Sequence, residues 1–101
     1  MTNKVFIGDG RVVVPVATYE LYLAGASSAA LVERDGQIFL VPLHGPTAGG
    51  MLLKQRNAQG DRVLLATDFL AERGRGRFTP EQSCTVRWVG EAGGLLIEGI
   101  A

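Results

Sequence analysis

The sequence predicts a mainly β domain: a small closed barrel of two similar ββαββ halves related by a pseudo-two-fold axis, with one short helix in each half. Three observations predict it. Short runs of β-branched and aliphatic residues are separated by glycines at turn-like positions (8, 10, 36, 45, 49, 50, 60, 93 and 94), the punctuation of many short strands. A hairpin around Asp35-Gly36 is apolar on both faces, which suits a closed barrel better than the rim of an open sheet. The same order of elements recurs in residues 4–43 and 51–100, joined by the linker 44–50.

In the first half, residues 5–7 read as a strand, followed by the tight turn Gly8-Asp9-Gly10 and by Arg11-Val12-Val13-Val14. β-branched side chains fit a pleated, half-buried surface. Pro15 stops that strand and suits the first position of a helix, where its missing N–H costs nothing. Val16, Tyr19 and Leu23 recur at i, i+3 and i+7, the stripe of a short helix that Gly25 ends. Tyr22 falls off the stripe. Residues 29–34 and 37–43 flank Asp35-Gly36, a pair that accepts the two positive φ angles of a type I′ turn. A two-residue turn sets Val32 opposite Phe39 and Leu31 opposite Leu40.

In the second half, residues 51–56 read as a strand, 57–61 as a turn and 62–65 as another strand. Thr67 or Asp68 is expected to cap a helix running through Phe69, Leu70 and Glu72 to Gly74. Residues 84–89 and 95–100 form a last hairpin around 90–94. Side by side, 10–14 matches 61–65, 18–25 (TYELYLAG) matches 67–74 (TDFLAERG), and 29–43 matches 84–100. The insertion 75–83 has no counterpart. A chain holding both halves needs no partner to complete its barrel, so a monomer is favoured. A dimer is expected to use an exposed edge or face in place of hairpin exchange.

The first half resembles the AbrB/MazE swapped-hairpin family, through Asp9-Gly10-Arg11-Val12-Val13-Val14-Pro15, a short helix and the hairpin 29–43. The resemblance implies a swapped-hairpin barrel and a DNA-binding regulator or antitoxin. Family members contribute one such half per chain, whereas this chain holds two. Their DNA-binding members carry basic residues after the proline, and segment 16–24 has none and contains Glu20. The acidic tail of antitoxin members has no equivalent before Ala101. Gly60-Asp61 also resembles the glycine-aspartate box of the related double-psi barrels, which would imply a small enzyme.

Charge and chemistry narrow the function. Ten basic residues balance ten acidic ones, so no global attraction to nucleic acid or anionic membrane exists. At 101 residues and 47% apolar composition the chain is read as one domain, 1–101. No signal peptide is visible, and a single cysteine, Cys84, fits a reducing compartment; a cytoplasmic location is expected. His44 is the only histidine and lies far in sequence from Cys84, so no His-based metal site or His–Cys dyad is read. No catalytic residues, metal ligands or cofactor are assigned. The one charged cluster is Arg73, Arg75 and Arg77 with Phe78, whose guanidinium forks suit phosphate or carboxylate groups. Lys54, Arg56 and Arg62 extend this patch if the barrel gathers these ends. The leading expectation is a non-enzymatic interaction protein with a protein or small anionic partner.

Overall fold

The computed structural model describes residues 3–44, 50–74 and 80–99. Among them, β1 (Lys4–Gly8) and β2 (Arg11–Val14) form a hairpin. A helical segment follows, α1 (Val16–Thr18) continuing into a π-helical turn (Tyr19–Leu23). The hairpin β3 (Ser28–Arg34) and β4 (Gln37–Leu43) completes the first half. In the second half β5 (Met51–Leu52), β6 (Lys54–Gln55) and β7 (Arg62–Leu65) lead into α2 (Thr67–Ala71). The hairpin β8 (Gln82–Val89) and β9 (Gly94–Ile97) ends the chain's regular structure.

All strands join one sheet in the order β5-β3-β4-β9-β8-β1-β2-β7-β6. Its two ends, β5 and β6, are consecutive in sequence and separated only by Leu53, whose N–H donates to the Ser27 carbonyl at 2.9 Å. One chain segment therefore pairs with β3 through its first part and with β7 through its second, and the sheet is nearly closed into a barrel. The buried face carries Val5, Ile7, Val12, Val14, Ile38, Leu40, Leu64 and Leu95, each at most 2% exposed. Burial of such side chains stabilises the fold by about 1.5–3 kcal/mol each.

The pairing network repeats between halves. β1 pairs with β2 as β6 pairs with β7; β3 pairs with β4 as β8 with β9; β1 meets β8 as β5 meets β3. The remaining pairs, β2 with β7 and β4 with β9, join equivalent strands across the pseudo-two-fold.

The expected Val32–Phe39 and Leu31–Leu40 pairs are present, and Asp35 and Gly36 have φ of 52° and 78°. Ile38, Phe39 and Leu40 are buried in succession, so this strand is covered on both faces. Other expectations need correction. Ala66, not Thr67 or Asp68, occupies the N-cap of α2, and no side chain caps it. The cause is the preceding ladder: the Ala66 N–H still donates to the Gly10 carbonyl at 2.9 Å, so the strand register runs up to the helix. Pro15 is likewise the N-cap rather than the first helical residue, with ψ of 150°. Residues 51–56 break at buried Leu53 into two short strands. β8 begins two residues earlier than 84, and β9 ends at Ile97.

The first helix departs most. Its final turn is π-helical, so Leu23 stacks one wide turn beyond Thr18, and both are buried. Thr18 reaches the interior because its hydroxyl donates to the Lys4 carbonyl at 3.0 Å. The residue match between 10–14 and 61–65 is also one step out of phase. Partners across a ladder share a face, and the partners are Val12–Leu64 and Val14–Arg62. Val14 is thus fully buried while Leu65, its match by sequence, points outward and is 57% exposed.

Candidate functional site

Along β1, Val5 and Ile7 face the core, so the period of two turns Lys4 and Phe6 outward. The helical segment runs beside them. Its buried residues are Thr18 and Leu23, which leaves Ala17, Glu20 and Leu21 toward solvent. Between the strand and this face lies an open groove of about 900 Å³, lined by Asn3, Lys4, Phe6, Pro15, Ala17, Thr18, Glu20 and Leu21. Leu21 in this lining is 62% exposed, the most exposed of the large apolar residues described. Smaller hollows of about 230 and 280 Å³ flank the β3–β4 turn.

The groove's walls are tied together. Besides the Thr18–Lys4 bond, the Asn3 side-chain amide donates to the Tyr22 hydroxyl oxygen at 3.2 Å. The Val16 N–H donates to Asp61 Oδ1 at 2.7 Å. Pro15 offers no N–H at the cap, so this first free amide of α1 takes a carboxylate from the other half of the chain. Asp61 is held in turn by the Asn57 amide at 2.9 Å. That bond and the Val16 N–H keep the Asp61 carboxyl below its ordinary range against the opposing effect of burial, with the Arg56 charge adding least. Gly60-Asp61 therefore acts as an anchor for the helix start.

The basic residues singled out from sequence divide into separate groups. Lys54 and Arg62 lie on the paired strands β6 and β7 but on opposite faces, Lys54 opposite Val63 and Arg62 opposite Gln55, and Arg56 follows β6. Arg62 covers the Tyr19 ring at 4.4 Å and donates to Gln55 Oε1 at 3.3 Å, whereas Lys54 and Arg56 are exposed. Arg73 is engaged elsewhere. Its guanidinium stacks on Phe69 at 3.6 Å, donates to the Phe69 carbonyl at 2.8 Å, and pairs with Glu33 and, at 3.6 Å, with Glu72. Arg75, Arg77 and Phe78 lie outside the described residues.

Cys84 belongs to the core cluster, and His44 is exposed just past β4. Among the described residues, no group of three or more His, Cys, Asp or Glu side chains is arranged to hold a metal ion. No helix there is long and apolar enough to cross a membrane. Sequence reading missed the groove. Its one signal was the i, i+4 pair Ala17 and Leu21, off the stripe of Val16, Tyr19 and Leu23. No family model, curated protein or solved structure matches the chain.

Proposed function

We propose that this chain is a non-enzymatic binding protein whose barrel presents the groove between β1 and the first helical segment to a protein partner. The observation that carries the reading is the exposure of Leu21 beside a groove with Phe6, Pro15 and Ala17 in its lining. Exposed apolar concavities with a few polar groups are where soluble proteins take partners. Bonds from Thr18, Asn3 and Asp61 hold the walls in place, so a partner need not order them.

The test compares two surfaces. Leu21→Arg should abolish recovery of a partner complex from native extract, while Lys54→Ala/Arg56→Ala should leave it intact. Recovery unchanged by Leu21→Arg contradicts the reading.

The regulator reading rests on one observation, the exposed cations Lys54 and Arg56 in and just after β6. Titration with a non-specific DNA duplex at low salt decides it. Phosphate contacts would give a slope of about −0.9 per contact in log K against log salt, and Lys54→Ala/Arg56→Ala would flatten it.

A further inference from the structure

We infer that the groove also seats a second copy of this chain, in a two-fold contact in which each Leu21 enters the other copy's groove. The inference rests on the groove being a contact face, as proposed above, and names an occupant for it. Two features of the same patch carry it.

The first is shape. Leu21 lines the open groove together with Phe6, Pro15 and Ala17, yet is 62% exposed. A projecting side chain and its receiving concavity on one surface are self-complementary under a two-fold rotation, which sets residue i against j and j against i.

The second is charge. The groove lining contains one cation, Lys4, and one anion, Glu20, both exposed. Neither takes part in an ion pair among the described residues, where the pairs are Arg73–Glu33, Arg73–Glu72 and Arg87–Glu98. A two-fold operation brings Lys4 of one copy toward Glu20 of the other and repeats that pairing on the far side. The chain's zero net charge adds no long-range repulsion between copies.

Because the chain nearly closes its own ring, the second copy adds from outside and exchanges no hairpin. An interface at the small end of the stable range buries about 600 Å² per copy, roughly a tenth of the chain's 5757 Å² accessible surface. The contact is a monomer–dimer equilibrium and so depends on concentration.

Sedimentation equilibrium of the full chain over about 1 µM to 1 mM tests it. The wild-type chain should move from monomer to dimer in that range, and Leu21→Arg should stay monomeric. Lys4→Glu and Glu20→Lys should each weaken the dimer about tenfold. The double exchange Lys4→Glu/Glu20→Lys should restore it, because the swapped charges again face their opposites. A monomer throughout overturns the second copy as occupant, and leaves the groove as a contact face if Leu21→Arg still abolishes a partner complex. A dimer insensitive to Leu21→Arg and to both charge changes places the contact elsewhere and overturns the inference. A dimer lost with Leu21→Arg but not rescued by the double exchange overturns the charge pairing.

Discussion

Asp61 occupies a turn in which Asn57 organises the backbone: Asn57 Oδ1 accepts the N–H groups of Gln59, Gly60 and Asp61 within 3.2 Å. The carboxylate then reaches the Val16 N–H just beyond the end of the neighbouring strand β2. Its folded pKa lies below the ordinary 3.8, so the folded chain gives up this proton more readily than the unfolded one. The stabilisation is complete above the ordinary value and is lost as pH falls through the lower, folded value. Thermal melts of wild type and Asp61→Ala should differ near neutrality and converge in acid. A gap that persists or widens in acid would show that the charge of Asp61 does not support the fold. Gly8 is fixed for another reason. A Cβ there would lie 2.5 Å from Glu81 Cα and 2.8 Å from its N, both backbone atoms with no side-chain rotation to relieve them. Gly8→Ala should cost about 2–3 kcal/mol in urea unfolding, as overpacking does. A loss below about 0.5 kcal/mol would mean that the 80–81 backbone moves aside.

At the scale of elements, each helical segment is tied to the hairpin of the opposite half, and the two ties differ chemically. Tyr22 of the π-helical turn lies parallel to Trp88 of β8, with centroids 6.2 Å apart and planes within 2°. Arg73, following α2, pairs with Glu33 of β3 while resting on Phe69. The arginine tie is partly shielded, since the Arg73 side chain is only 20% exposed. Arg73→Ala should therefore destabilise by about 1–2 kcal/mol, mostly through lost packing on Phe69 and the lost bond to its carbonyl. A double-mutant cycle with Glu33→Ala should return a coupling of about 0.5–1 kcal/mol, and Tyr22→Ala with Trp88→Ala about 0.5–1.5 kcal/mol. A coupling near zero in either cycle would show that tie to be a surface coincidence.

The element scale also separates what the sequence discloses from what it does not. Turns were legible because Asp35-Gly36 and Asp9-Gly10 require a backbone that few residue pairs accept, and both occur with positive φ throughout. Strands followed from β-branched runs between those turns. The π-helical turn was not legible: it exists so that Thr18 and Leu23 bury together, and nothing local marks a threonine as an interior residue. The cap of α2 was misplaced because a hydrogen bond to distant Gly10 set it, overriding the local preference for Thr67 or Asp68. The groove escaped for the same reason, since Phe6 and Leu21 meet only once β1 and the helix are side by side. Arg73 reads from sequence as part of an anion-binding cluster because its partner Glu33 is 40 residues away.

For the whole molecule, ring closure within one chain decides what surface is left for partners. The segment around Leu53 joins the two ends of the sheet, and β2–β7 and β4–β9 seal the halves to each other. The extents of 32, 32 and 31 Å match a near-spherical body, with no arm held out for exchange among the described residues. A hairpin committed to its own ring is not offered to another chain, which leaves outward faces such as the groove for the contacts proposed above. Isotope-filtered nuclear Overhauser spectra on a mixture of labelled and unlabelled chains, unfolded together and refolded, test this most directly. The methyl contacts Leu40–Leu95 and Val12–Leu64, which join the halves across β4–β9 and β2–β7, should appear within chains and vanish from the between-chain spectrum. Strong between-chain cross-peaks at those pairs would show that two chains complete each ring by exchanging hairpins, and would contradict the account.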